Sequence, residues 1–137
     1  MGPIPRSPAF RDIRRNVPLT PRAHVMVVSD DVQLASACVR VLEEEGYAAT
    51  YARHSGHALL ACLSGVPADV LITELSMADG SGPALADRLR RHNPDLQTVY
   101  LANPGTLYDA GNVIVRPFTG EELLRRLSAA VTSFRAS

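Results

Sequence analysis

The sequence predicts an α/β domain in which helices cover both faces of a parallel sheet. Short apolar segments alternate with longer amphipathic segments from residue 23 onward. Each short segment is apolar at consecutive positions, which is typical of a strand that is buried on both faces. The longer segments repeat their apolar residues at helical spacing. Strand therefore alternates with helix along the chain, and this pattern favours parallel strands joined by helical crossovers.

Composition divides the chain into an N-terminal arm, residues 1–22, and one globular domain, residues 23–137. The arm contains five prolines, and proline at that density disfavours helices and central strands. We therefore expect the arm to be extended or disordered. The first 23 residues hold five arginines and one aspartate, a net charge of +4, so the remainder carries −4. Hydrophobic residues make up 46% of the chain, which suffices for one hydrophobic core.

The first predicted strand, His24–Val28, is apolar and rich in β-branched residues. Asp30 and Asp31 follow it and open the first helix. Two roles stay open for Asp30, the N-cap of this helix and a ligand of a weakly bound metal ion. Cys38 and Cys62 each fall on the apolar face of a predicted helix, so we expect both to be small core residues.

The remaining predicted elements continue the alternation of strand and helix. Gly46 suits the end of the first helix, and Pro83 suits the first turn of the third. Thr119 and Glu122 form a capping box at the start of the last helix. The further strands are Tyr47–Tyr51, Val70–Thr73, Thr98–Leu101 and Val113–Val115, and the further helices are Gly56–Leu63, Pro83 to about His92, and Thr119 to about Phe134.

Residues 103–112 form an unusually short connection between the fourth and fifth strands. A parallel crossover normally needs about a dozen residues or more, usually with a helix. This stretch is shorter and contains Pro104, Gly105 and Gly111. We therefore expect the helix between these two strands to be shortened or missing.

Three segments together resemble the receiver domains of two-component response regulators. An acidic cluster ends the first strand in Val27–Asp31, and Asp69–Gly82 contains the third strand and the turn after it. The last segment is Val113–Phe118, followed by Glu121-Glu122-Leu123. The resemblance covers about residues 23–133. It implies a flavodoxin-like, doubly wound sheet of five parallel strands in the order 2-1-3-4-5, with ligands outside the carboxyl ends of the strands.

In working members of that family, a pocket at the strand ends holds two acids, a phosphoacceptor aspartate, a threonine or serine, and a lysine. Ser29 stands here in place of the first acid, while Asp30 keeps the second. Glu74 replaces the phosphoacceptor, Ala102 the hydroxyl residue and Arg116 the lysine. The resemblance also implies a cis peptide bond after Arg116. The degenerate pocket comprises Ser29, Asp30, Asp31, Glu74, Ala102, Arg116 and Pro117.

These replacements argue against phosphoryl transfer. Glu74 extends its carboxylate by one methylene, about 1.5 Å, and a misplacement of about 1 Å costs on the order of a hundredfold in rate. Ser29 removes an anionic oxygen, so Asp30 and Glu74 are expected to bind Mg²⁺ weakly, if at all. Ala102 cannot donate a hydrogen bond, and Val113 stands where the family has its switching aromatic residue. We expect no resident cofactor and no catalytic residue.

Two states of Glu74 stay open. In one, Arg116 forms a permanent ion pair with it, since arginine pairs well with carboxylates. In the other, Glu74 is a solvated acid at the end of its strand. Asp69 and Asp79 are further candidates for a phosphoacceptor, although both suit loop positions better.

The sequence predicts a phosphorylation-independent receiver that acts in signal transduction by binding another protein, and not an enzyme. The expected partner is a histidine kinase or another signalling protein, and the resemblance is compatible with a homodimer through the fourth and fifth strands. No output domain follows the receiver-like segment, so a stand-alone module is expected. No apolar run approaches the roughly 18 residues of a membrane span, and a cytoplasmic location is expected.

Two alternative functions stay open. One is a still-active phosphoacceptor or phosphate sink in a phosphorelay. The other is contact with nucleic acid through the arginines of residues 1–22. The nucleic-acid alternative is disfavoured because few aromatic residues are interleaved with those arginines.

Overall fold

The computed structural model describes residues 11–12, 17–18, 22–106, 108 and 112–136. Within them, one parallel sheet carries helices on both faces. The strands are β1 (His24–Val28), β2 (Ala48–Ala52), β3 (Val70–Glu74), β4 (Gln97–Ala102) and β5 (Val113–Val115), and the helices are α1 (Val32–Glu44), α2 (Ser55–Leu63), α3 (Gly82–Arg90) and α4 (Gly120–Ala136). The order across the sheet is β2-β1-β3-β4-β5, which confirms the predicted flavodoxin-like topology.

The two faces of the sheet build two separate hydrophobic clusters. Val25 and Val27 of β1 lie in the cluster with residues of α1 and α4. Met26 and Val28 lie in the other cluster, with residues of α2 and α3. All four side chains are at most 1% exposed, as expected for a strand that is covered on both faces. With both faces filled, the ends of the strands are left as the place for a functional site.

The element boundaries agree with the predicted ones to within one or two residues, and β1 and β5 have the predicted bounds. β2 begins at Ala48 rather than Tyr47, because the Tyr47 amide donates a 3.0 Å hydrogen bond to the carbonyl of Leu42 in α1. Gly46 turns the chain between the two elements with φ = 92°, a left-handed conformation that favours glycine.

The connection between β4 and β5 has no helix in its described residues, 103–106, 108 and 112. This agrees with the expected shortening or loss of the helix there. Tyr108 packs edge-on against Tyr100 of β4, with the ring centroids 5.6 Å apart. Val115 of β5 is nevertheless 45% exposed, so this corner of the sheet is covered less completely than its centre.

The sequence pattern predicts neither of two short antiparallel pairings. Ser76–Met77 pairs with Gly80–Ser81 after β3, and Arg11–Asp12 pairs with Val17–Pro18 in the N-terminal arm. The boundary of the arm at residue 22 stays a prediction. Among the described residues, no helix combines the length and the apolar character needed to cross a membrane, and the expected cellular location also stays a prediction.

Candidate functional site

The carboxyl ends of four strands lie side by side at the same end of the sheet and bring the predicted pocket residues together. Ser29 follows β1 directly, Glu74 and Ala102 are the last residues of β3 and β4, and Arg116 follows β5. Ser29 is fully buried, and Glu74 and Ala102 are 7% and 3% exposed. The pocket is therefore closed around its acid and is not an open cleft.

Glu74 is held by two donors at one carboxylate oxygen. Its Oε2 accepts a 2.7 Å hydrogen bond from the Ser29 hydroxyl and a hydrogen bond from Nη2 of Arg116. The predicted contact between Glu74 and Arg116 is present, and the alternative of a solvated strand-end acid is wrong because Glu74 is buried. Burial of a carboxylate is costly unless it is paired and hydrogen-bonded, and this arrangement meets both conditions.

Arg116 is a permanent cation at this site. Its hydrogen bond to Glu74 raises the pKa of the guanidinium above its ordinary value, against the opposing effect of burial, and the negative charges of Glu74 and Asp31 add to the increase. The peptide bond between Arg116 and Pro117 is cis, as the family resemblance implies. Pro117 itself is exposed beside the pocket.

The N-cap of α1 is Asp31, and the N-cap role considered for Asp30 is wrong. The Asp31 carboxylate accepts a 3.1 Å hydrogen bond from the amide of Leu34, the usual geometry of a helix cap. The Ser29 hydroxyl accepts a 3.0 Å hydrogen bond from the Asp31 amide. Ser29 thus ties the start of α1 to Glu74, since the same hydroxyl donates to the carboxylate.

Asp30 is exposed and lines a separate cleft of about 490 Å³ beside the pocket. The cleft is lined by Asp30, Arg53, His54, Met77, Ala78 and Asp79. Asp79 accepts weak 3.4 Å hydrogen bonds from the amides of Ser55 and Gly56. It therefore fastens the loop after β3 to the start of α2, a structural role that agrees with its expected loop position.

The arrangement of oxygen ligands does not suit Mg²⁺. Of the two predicted ligands, Glu74 already accepts from a cation and a hydroxyl at Oε2, and Asp30 is the only other carboxylate of the pair. No group of three potential metal ligands occurs among the described residues. Because Mg²⁺ is bound through carboxylates in near-octahedral geometry, these residues do not fit the ion that the family uses.

The switching positions also lack polar or aromatic groups. Ala102 presents a buried methyl group, and its carbonyl accepts a 2.9 Å hydrogen bond from the Arg116 amide. Val113 lies opposite Tyr100 in the β4–β5 register. The aromatic side chain at this level of the sheet is therefore on β4, where Tyr100 is buried and in contact with Tyr108.

The sequence pattern does not predict that Gly82 and Cys38 lie next to the site, although it correctly predicts that Cys38 is a core residue. A β-carbon on Gly82 would lie 2.3 Å from the backbone oxygen of Glu74 and 2.9 Å from Cγ2 of Thr73. Burial, and after it the negative charge of Glu74, raises the pKa of the Cys38 thiol to about 11. The close approach of Gly82 and the position of Cys38 depend on packing between α3, α1 and β3, which no local pattern encodes.

The other candidates raised by the sequence have structural roles. Asp69 accepts a 2.8 Å hydrogen bond from the His24 amide and thereby aligns the starts of two strands. His54 is not one of those candidates, and it caps α2 by accepting from the His57 amide at 3.2 Å. Of the arginines considered for nucleic-acid contact, Arg22 is engaged with Glu45 and Tyr47, and the side chains of the others lie outside the described residues.

Comparison with known proteins agrees with this architecture. Residues 25–128 match the family model described as response regulator receiver domain. The chain is 31% identical over 113 residues to the probable transcriptional regulatory protein TcrX of Mycobacterium tuberculosis, covering 77% of this chain and 48% of that protein. It is 27% identical over 118 residues to the uncharacterized transcriptional regulatory protein YkoG of Bacillus subtilis, covering 80% and 51%. The chain thus spans about half the length of these curated relatives.

A solved structure supports the same fold. The response regulator receiver protein from Sinorhizobium medicae superposes with a TM-score of 0.75 at 19% identity, covering 85% of this chain and 98% of that one. At this identity the likeness shows the fold alone. Together with the family match over residues 25–128, it establishes that this chain belongs to the response regulator receiver domains of two-component signal transduction.

Proposed function

We propose that this receiver domain signals without a cycle of phosphorylation, by presenting one fixed state to a protein partner. One observation supports the proposal: Oε2 of Glu74 accepts hydrogen bonds from both Ser29 and Arg116. Nucleophilic attack needs a carboxylate oxygen that is oriented toward the donor phosphorus. Here Oε2 is held by a cation and a hydroxyl, so the carboxylate is fixed inside a closed pocket in which Glu74 is 7% exposed.

Freeing the carboxylate is energetically unfavourable. Separation of a buried ion pair leaves an uncompensated charge, at a cost of about 3–5 kcal/mol for fully buried pairs. The Glu74 side chain is only 10% exposed, so water cannot readily replace Arg116. A phosphoryl donor would have to overcome this cost without the Mg²⁺ ion that normally neutralises the developing charge.

The residues at the two switching positions of the family also favour a fixed state. In the family, a hydroxyl residue and an aromatic residue move when the acid is phosphorylated. Ala102 and Val113 occupy those positions here, so a phosphoryl group would have neither a hydrogen-bond donor nor a moving ring to act on. We therefore assign the domain a binding function rather than catalysis.

The proposed partner is a histidine kinase or another signalling protein. Val32 at the start of α1 is 48% exposed, and Pro117 is exposed next to Arg116. These two apolar groups flank the closed pocket and suit contact with another protein. The curated relatives are transcriptional regulators about twice as long as this chain, so an output in transcription belongs to the proposal. A homodimer through β4 and β5 stays a prediction, supported by the exposure of Val115.

Incubation of the full chain with acetyl phosphate and Mg²⁺, followed by intact mass spectrometry, tests the proposal. We expect no gain of a phosphoryl group. A matched positive control is the variant Ser29→Asp/Glu74→Asp/Ala102→Thr/Arg116→Lys, which restores the residues typical of the family. A phosphoryl gain in the unaltered chain that disappears in Glu74→Gln would instead support an active phosphoacceptor or sink.

A further inference from the structure

β2 forms one outer edge of the sheet, since it pairs with β1 alone among the five strands. The Ala48 amide donates a 3.0 Å hydrogen bond to the carbonyl of Ala23, on the side of β1. Backbone groups of successive residues in a strand point to alternate sides. Ala48 and Thr50 therefore face β1, whereas Ala49 and Tyr51 direct their N–H and C=O groups away from the sheet.

This edge carries none of the features that usually prevent pairing with another strand. Proteins protect sheet edges with charged residues, proline, bulges or a covering segment. The sequence of β2 is Ala-Ala-Thr-Tyr-Ala, with no charge and no proline, and it runs in regular register with β1 along its whole length. Protection must therefore come from elsewhere in the chain.

Val17 and Pro18 of the N-terminal arm lie close to β2. They pair antiparallel with Arg11–Asp12. Pro18 lacks an amide donor, and proline is one of the residues that protect a sheet edge. Val17–Pro18 therefore places next to β2 one of the features that β2 itself lacks.

Arg22, the last residue of the arm, contacts the residues that precede β2. Its amide donates a 2.9 Å hydrogen bond to the carbonyl of Gly46. Its guanidinium lies 4.7 Å from the centroid of the Tyr47 ring and 3.7 Å from the Glu45 carboxylate. The attraction between a cation and an aromatic face is weak at exposed sites, so the contact holds Arg22 near β2 without making the position of the arm permanent.

We propose that the edge of β2 is a strand-pairing surface for a second copy of this chain, and that Val17–Pro18, which lies close to β2, obstructs it. An antiparallel pairing about a two-fold axis at Thr50 would place Ala49 of one copy opposite Tyr51 of the other. Both residues direct their backbone groups outward, as a hydrogen-bonded pair requires. The absence of charge in β2 means that such self-pairing meets no like-charge repulsion.

The Thr50 hydroxyl supports this register independently. It is buried and has no hydrogen-bond partner among the described residues. At the two-fold axis it would face the same hydroxyl of the second copy, and cross-strand threonine pairs are favourable. A strand from an unrelated partner would need to bring its own group to the same position, so the second copy is the occupant that the sequence of β2 suits best.

The test begins with the full chain carrying a protease site between residues 20 and 21. The folded protein is cut, the released segment is removed, and cut and uncut samples are compared by sedimentation equilibrium. We expect the cut protein to shift toward a concentration-dependent dimer relative to the uncut protein. An unchanged monomer–dimer distribution after complete cutting would overturn the proposal.

The variant Ala49→Pro distinguishes this edge from any other dimer surface. The Ala49 amide points away from β1, so proline there preserves the sheet but blocks a new strand. We expect cutting to cause no rise in the dimer fraction of this variant, and a rise equal to that of the unsubstituted chain would refute pairing through β2. If the variant fails to fold, hydrogen exchange of the unsubstituted chain before and after cutting decides. Amides of Ala49 and Tyr51 should gain concentration-dependent protection on cutting, whereas the protection of Val113–Val115 should not change. An equal change at both edges, or no change, would overturn the proposal.

Discussion

Ser29 donates a 2.7 Å hydrogen bond from its hydroxyl to Oε2 of Glu74, and the same hydroxyl accepts from the amide of Asp31. A single neutral side chain thus joins the start of α1 to the acid at the end of β3. In a working receiver this position holds an acid. Replacement by serine turns a site of charge repulsion, which a metal ion must neutralise, into a satisfied hydrogen-bond network.

Ser29→Asp should restore the need for a cation. A second carboxylate beside Glu74 introduces repulsion and removes a donor from a buried acceptor, which costs about 1–3 kcal/mol. We expect a lower thermal midpoint that Mg²⁺ partly restores, measured by thermal unfolding with and without the ion. Ser29→Asn is the uncharged control and should show no response to Mg²⁺. An equal Mg²⁺ response in the unaltered chain would contradict the expectation.

Arg116→Met should destabilise the domain by stranding the charge of Glu74. Breaking a fully buried pair costs about 3–5 kcal/mol. Because the Arg116 side chain is 25% exposed, screening reduces the expected loss to roughly 2 kcal/mol. The double variant Glu74→Gln/Arg116→Met should recover much of the loss, since no buried charge remains. Urea unfolding gives the free energy of unfolding of both variants. Equal values for the single and double variants would show that Arg116 does not stabilise the charge of Glu74.

Gly82→Ala should be strongly destabilising. The added β-carbon would lie 2.3 Å from the backbone oxygen of Glu74, and a backbone atom cannot move aside as a flexible side chain can. Overpacking of this kind costs about 1–3 kcal/mol or more. Gly56→Ala is the matched control, because the nearest atom to its β-carbon would be 3.5 Å away. Chemical denaturation should separate the two variants, and similar midpoints would be inconsistent with the packing described.

Cys38 should make the domain less stable at alkaline pH. Burial, and after it the charge of Glu74, raises the pKa of this thiol from 9.0 to about 11 in the folded state. Between these values the unfolded chain loses the proton that the folded chain keeps, so the free energy of unfolding falls as pH rises from 9 to 11. Cys38→Ala should have a shallower decline over this range in urea unfolding. Identical slopes would show that the pKa of the Cys38 thiol is not raised in the folded state.

Much of the fold follows from local pattern. The continuous apolar runs of β1 and β5 predict strands, and both strands have the predicted bounds. Burial on both faces holds for β1 but not for β5, where Val115 is exposed. The start of β2 is displaced by one residue because the Tyr47 amide completes the end of α1. The two-residue pairing of Ser76–Met77 with Gly80–Ser81 is too short to produce any periodicity in sequence.

The site was predictable where it depends on strand ends and not where it depends on packing. Parallel strands bring their carboxyl ends to one edge, so Ser29, Glu74 and Arg116 were expected to meet. The choice of Asp31 over Asp30 as N-cap depends on the local direction of the chain after β1, which the adjacent aspartates do not reveal. The contact of Gly82 with the backbone of Glu74 depends on the approach of α3 to β3.

Oε2 of Glu74 already accepts from Ser29 and Arg116, and we propose that the pocket therefore does not assemble Mg²⁺ and a phosphoryl group. Titration of the isotope-labelled chain with Mg²⁺ and beryllofluoride, a phosphoryl mimic, tests it directly by NMR. We predict no saturable shift at the amides of Glu74, Ala102 and Arg116, under conditions in which the fourfold variant that restores the family residues does respond. Saturable shifts at these three amides in the unaltered chain would contradict the claim.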